Sequence, residues 1–100
     1  MPNEAKNSLQ ALRAEIDRID TELVALFTAR MRVSAEIAEY KRRTGMAVTD
    51  TARETALLDR VTALSPTGTS DYTRKLYQSI LALSRDYQHE RLCEDTSETE

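Results

Sequence analysis

Arg30 and Lys41 lie eleven residues apart in the stretch 24-VALFTARMRVSAEIAEYK-41, and Arg30 occupies a position where the apolar pattern asks for another Leu. At 100° per residue, that separation returns a helix to within about 20° of its starting direction with a rise of roughly 16 Å. Two long cationic side chains, each reaching roughly 6 Å toward the other, leave a gap of about 4–5 Å. Such a gap suits a small dianion held between two charges, and Ser34 and Ile37 are expected on the same face. Arg30 also has a plainer reading: a polar residue that sets register in a coiled coil or snorkels out of the seam.

Other polar residues invite the same two-sided reading. Arg13 lies about 25 Å and 100° from Arg30 on one helix, so it cannot share a ligand with Arg30 from its own chain. If two copies of the helix cross antiparallel near residue 25, residue 13 of one lies opposite residue 37 of the other, and a third cation arrives; otherwise Arg13 is a solvated charge. Arg53 and Glu54 open a second helical stretch, 48-VTDTARETALLDR-60. Here 51-TARE-54 is also a capping-box pattern, and Asp50 is a plausible N-cap. Ser84 and Gln88 are spaced i, i+4 and share a helix face. Gln88 could be an ordinary boundary residue, and Ser84 could bond back within its own helix.

Together these residues supply cations (Arg13, Arg30, Lys41, Arg53), a carboxylate (Glu54), an amide (Gln88) and a hydroxyl (Ser84). The set lacks an evident nucleophile and an imidazole or thiolate base. It suits binding or electrostatic catalysis of a doubly negative small molecule rather than acyl transfer or metal hydrolysis. His89 and Cys93 are single residues of their kinds, which argues against a catalytic triad, an internal disulfide or a metal site.

Three helices are expected to position these groups. The first runs from about Leu9 to Arg43, with apolar Leu9, Leu12, Ile16, Ile19, Leu23, Leu26, Val33, Ile37 and Tyr40 at alternating spacings of three and four. Asn7 or Ser8 can cap its start, and Arg42, Arg43 and Gly45 give a C-terminal stop. The second runs from about Asp50 to Leu64 with Leu57, Leu58, Val61 and Leu64 inward, and with Thr49 or Asp50 as cap. The third runs from about Asp71 to Arg91 with Tyr72, Leu76, Ile80, Leu83 and Tyr87 inward and Ser70 as cap. Pro66 and Gly68 mark the loop 65-SPTGTS-70. Residues 1–7, Pro2 among them, are expected to precede the structure as a flexible N-terminus. Residues 92–100 are expected to form an acidic, disordered tail.

The 100-residue chain is 40% hydrophobic and 31% charged, which fits a single folded domain. A net charge of −3 argues against general nucleic-acid binding. The N-terminus MPNEAKNS lacks an apolar signal core, and no run is long enough to span a membrane, so a cytoplasmic location is expected. A helix of about 35 residues is roughly 50 Å long, more than the two shorter helices comfortably cover. The uncovered seam predicts a helical homodimer, since a two-fold interface is self-complementary.

The run 12-LRAEIDRID…LVALFTARMRVSAEIAEYK, followed by VTDTARETALLDRV and 74-RKLYQSILALSRDYQ-88, resembles the all-α class of chorismate mutases over about residues 8 to 90. The resemblance implies three helices per chain in an intertwined dimer with two shared active sites, and rearrangement of chorismate to prephenate without a cofactor or metal. It implies that Arg30 binds a carboxylate and that Lys41 contacts a carboxylate and the ether oxygen. Arg13 would come from the other chain. Asp50 and Arg53 would organise the start of the second helix near substrate, Glu54 would bind the ring hydroxyl, Ser84 would contact substrate, and Gln88 would bond the ether oxygen. Lys41, Gln88, Arg30 and Glu54 are thereby the catalytic candidates. Arg85 departs from the resemblance, standing where an apolar pocket residue is expected. Two alternatives remain: an isochorismate-pyruvate lyase of similar fold, and a non-catalytic helical dimerisation module. The D-x-x-R-E segment with Glu54 favours the mutase.

Overall fold

The computed structural model describes residues 2–98, with side chains for residues 8–92. Three helices follow in order, α1 (Pro2–Thr44), α2 (Thr51–Leu64) and α3 (Ser70–Glu98), with no strand among the described residues. The fold is all-α. No described helix is long and apolar enough to cross a membrane. The chain divides into two units, Met1–Arg32 and Val33–Glu100, the division falling within α1.

Two helices are longer than expected. α1 begins at Pro2, upstream of the expected caps Asn7 and Ser8. A proline suits the first helical position, because its φ is preset and its missing N–H would have had no partner there. α3 passes Arg91 and ends at Glu98, and no Gly or Pro follows Gly68 to stop it. The expected flexible N-terminus and disordered tail otherwise concern Met1, residues 99–100 and side chains that lie outside the described residues.

In the first unit, Leu9, Leu12, Ile16, Ile19, Leu23 and Leu26 are all exposed. The heptad stripe anticipated from the spacing is present and uncovered in a single chain. Arg18 and Glu22 form an exposed i, i+4 pair at 3.4 Å, a contact of the kind that adds little stability.

In the second unit, α2 packs against α3 through a small core of Leu57, Val61 and Leu81, flanked by half-buried Leu58 and Tyr77. Ser65, the C-cap of α2, bonds the Thr73 hydroxyl at 2.6 Å and ties the two helices near their connection. Leu64, Tyr72, Leu76 and Leu83 were expected inward and are exposed instead. On α3 the buried stripe is Leu81, Ser84 and Gln88, with Tyr77 half-buried. That stripe is rotated from the more apolar row through Tyr72, Leu76 and Leu83. Periodicity selects the more hydrophobic face, whereas packing within the chain uses the face carrying the hydroxyl and the amide. On α1, Ser34 and Ala38 are buried while Val33, Ile37 and Tyr40 are exposed. Ala38, rather than Ile37, is thus buried with Ser34. Among the described residues, no large side chain is fully buried.

Candidate functional site

The C-terminal end of α1 fixes Lys41. Gly45 adopts φ +71, the left-handed conformation that ends helices and that residues with a Cβ adopt at a cost. The turn lets Met46 N–H bond back to Lys41 O at 2.9 Å, the long closing bond of a Schellman motif. The chain then doubles back far enough for Lys41 Nζ to donate to Val48 O at 2.7 Å. Lys41 is half-buried, and one of its three donors is engaged in this bond.

The start of α2 fixes Asp50, Arg53 and Glu54. Asp50 is the N-cap, its Oδ1 accepting the Arg53 N–H at 3.0 Å, while Asp50 O accepts the Glu54 N–H at 3.0 Å. The capping box read from 51-TARE-54 does not form. With the cap at Asp50, the third helical position belongs to Arg53 and Glu54 is the fourth. Glu54 is therefore released from backbone duty, and its Oε1 accepts from Arg85 Nη1 of α3 at 2.5 Å. Both side chains of this ion pair are partly buried, 33% exposed for Arg85 and 22% for Glu54. Asp50 and Arg53 are themselves exposed.

On α3, Ser84 and Gln88 are both buried, and Gln88 Oε1 has no hydrogen-bond partner among the described residues. A buried amide oxygen left open by the protein's own groups is a place where a bound polar group can be met. The cap expected at Ser70 is displaced as well: Ser70 is the first helical residue, its hydroxyl donates to Thr67 O at 3.3 Å, and Thr69 O accepts the Thr73 N–H.

In the first unit, Arg13 is exposed, whereas Arg30 is half-buried although Leu26, one turn earlier, is exposed. A guanidinium more sheltered than a neighbouring leucine is the reverse of ordinary partitioning. In the second unit the structure joins Glu54 to Arg85 and Lys41 to the Val48 carbonyl, and buries Ser84 and Gln88 on one face of α3. Sequence reasoning missed both partners. The Glu54–Arg85 pair spans 31 positions and two helices, a separation with no local spacing signal. The Val48 carbonyl is a main-chain group that side-chain patterns do not mark.

The family model for chorismate mutase type II matches residues 12–89, most of the chain. The chain is 33% identical over 79 residues to a bifunctional chorismate mutase/prephenate dehydratase of Buchnera aphidicola, covering 77% of this chain and 20% of that protein. It is 32% identical over 77 residues to a protein of the same description from Enterobacter agglomerans, covering 75% of this chain and 20% of that one. A chorismate mutase of Methanocaldococcus jannaschii is 32% identical over 56 residues, 56% of this chain and 57% of that protein. The chain thus spans about a fifth of the length of the two bifunctional relatives. No solved structure matches it. With the family model matching residues 12–89 and an all-helical fold, the chain belongs to the type II chorismate mutase family.

Proposed function

We propose that the chain rearranges chorismate to prephenate, without a cofactor, as a cytoplasmic homodimer. The observation that carries the reading is the Gln88 amide, buried on α3 beside buried Ser84 with Oε1 unpartnered. Rotation about its last bond exchanges the ends of an amide, so the same side chain can present an N–H donor to a ligand oxygen.

Chorismate carries two carboxylates, an ether bridge and a ring hydroxyl. Its rearrangement is a single pericyclic step in which the ether C–O bond breaks as a C–C bond forms. No nucleophile, metal or obligatory proton transfer is required. The protein must hold a flexible dianion in a compact chair-like conformer, an orientational task. It must also stabilise negative charge growing on the ether oxygen. In this reading Arg30, and Arg13 from the second copy, hold carboxylates. Lys41 and Gln88 donate toward the ether oxygen, Lys41 also meeting a carboxylate. Glu54 accepts the ring hydroxyl, Ser84 contacts substrate, and Asp50 and Arg53 order the start of α2. The bond from Lys41 Nζ to Val48 O supports a preorganised ammonium with donors to spare.

The homodimer is supported by the exposed seam of Leu12, Ile16, Ile19 and Leu23 and by the absence of any fully buried large side chain among the described residues. Incubating the purified chain with chorismate and, separately, with isochorismate tests the reading. Prephenate is the expected product of the first. Salicylate and pyruvate from the second would identify a lyase, and no turnover of either would leave a non-catalytic helical dimer.

A further inference from the structure

The Arg85–Glu54 pair joins two helices and is less exposed than the pairs Arg18–Glu22, Arg42–Glu39, Arg43–Glu39 and Arg74–Asp59. Arg18–Glu22 is an exposed pair within one helix. Arg74–Asp59 also joins α3 to α2, but its carboxylate is 69% exposed and its separation is 3.4 Å. Arg85 and Glu54 meet at 2.5 Å with 33% and 22% exposure, so solvent screens them less. The two helices are also joined by Leu57, Val61 and Leu81 and by the Ser65–Thr73 bond, so the pair is not the sole tie between them.

A glutamate has three rotatable side-chain bonds and wanders unless something holds it. The backbone does not hold this one, because Asp50 already caps the Arg53 N–H. The Arg85 guanidinium does, through Oε1 alone. A carboxylate has about four acceptor sites, so one such bond leaves room for a further donor. The guanidinium also offsets a negative charge that would otherwise repel a dianion bound nearby.

We infer that Arg85 is a positioning residue: it holds the Glu54 carboxylate in the orientation that accepts the substrate's ring hydroxyl and offsets its charge. The inference rests on the mutase reading given above. Arg85 acts through Glu54.

The test is a double-mutant cycle in the full chain, with R85M, R85K, E54Q and R85M/E54Q assayed on chorismate alongside their unfolding midpoints. R85M should lower kcat/KM about tenfold, the scale of one charge-assisted hydrogen bond. R85K should recover to within about threefold of the unaltered chain, because a single bond to Oε1 needs charge and reach but not a fork. With Glu54 already replaced, R85M should add less than about threefold, since coupled groups are non-additive. A purely structural role would lower the unfolding midpoint and give independent losses in the cycle. R85Q, which keeps a polar donor without charge, enters the cycle if R85M does not fold. Losses that multiply in the double variant, or R85M activity within about twofold of the unaltered chain, overturn the inference while leaving the mutase reading standing. An unaltered chain that fails to convert chorismate overturns both.

Discussion

Lys41 Nζ donates to the main-chain oxygen of Val48 at 2.7 Å, so the ammonium is held by the turn that follows its own helix. A donor fixed before substrate arrives requires little reorganisation as charge develops, which is the property that makes such groups effective. Lys41→Ala should therefore lower kcat by about 10²- to 10³-fold, as loss of one such donor typically does. Arg85→Ala, which removes the ion-pair partner of Glu54, should cost far less. Chorismate consumption, followed for both variants under one set of conditions, checks the ranking, and near-equal activities would sink the assignment of Lys41.

Gly45 sits at φ +71 with no atom near the place a Cβ would take, so the conformation and not crowding opposes a side chain. Gly45→Ala should destabilise the fold by about 1 kcal/mol. Because the same turn delivers the Val48 carbonyl to Lys41, kcat should fall along with stability. Urea unfolding and chorismate kinetics on the one variant measure both effects. A destabilised variant with unchanged kcat would separate the turn from the ammonium.

Arg30 is half-buried along a helix stripe whose leucines are exposed. Arg30→Leu restores the apolar pattern, so association should be preserved or strengthened. Turnover of chorismate should be lost. Sedimentation equilibrium and the activity assay read the two properties separately. A dimer that keeps full activity would make Arg30 a register residue only.

Asp50 caps α2 through the Arg53 N–H. Asp50→Ala should cost about 1 kcal/mol of stability, whereas Asp50→Asn keeps a good capping oxygen and most of that stability. If Asp50 serves the site by ordering the start of α2, Asn should also preserve kcat/KM. Thermal unfolding with steady-state kinetics decides it: a stable but inactive Asn variant would show that the charge itself acts on substrate.

Gln88 Oε1 is buried and has no hydrogen-bond partner among the described residues. Replacing it with Met, of similar length and without polar atoms, removes a desolvation penalty of about 1–3 kcal/mol. Gln88→Met should then fold at least as stably as the unaltered chain while losing chorismate turnover. A destabilised variant would instead mean that the amide is satisfied in solution and supports the fold.

Much of the fold was legible because it is written in local terms. Gly45 and the basic turn before it mark the end of α1, and Asp50 marks the start of α2. The seam of α1 follows from its spacing, as does its exposure in a single copy. The inward face of α3 was legible only in part: Ile80 and Tyr87 are half-buried as expected, but the apolar row through Leu76 and Leu83 hid the row that packs, with Ser84 and Gln88. Of the candidate site, the residue types were readable one helix at a time. The pairing of Glu54 with Arg85 was not, since it depends on how α2 lies on α3. The capping-box motif at Thr51 pointed away from it, because the true cap stands one residue earlier.

The Schellman bond at the end of α1 falls on the carbonyl of Lys41, whereas the bond to Val48 falls on its ammonium. The helix stop belongs to atoms that every residue possesses, and the candidate chemistry belongs to atoms that only this side chain supplies. Position 41 can therefore exchange its functional group without disturbing where the helix ends. The stop of the helix and the candidate donor thus sit on separate atoms of one residue.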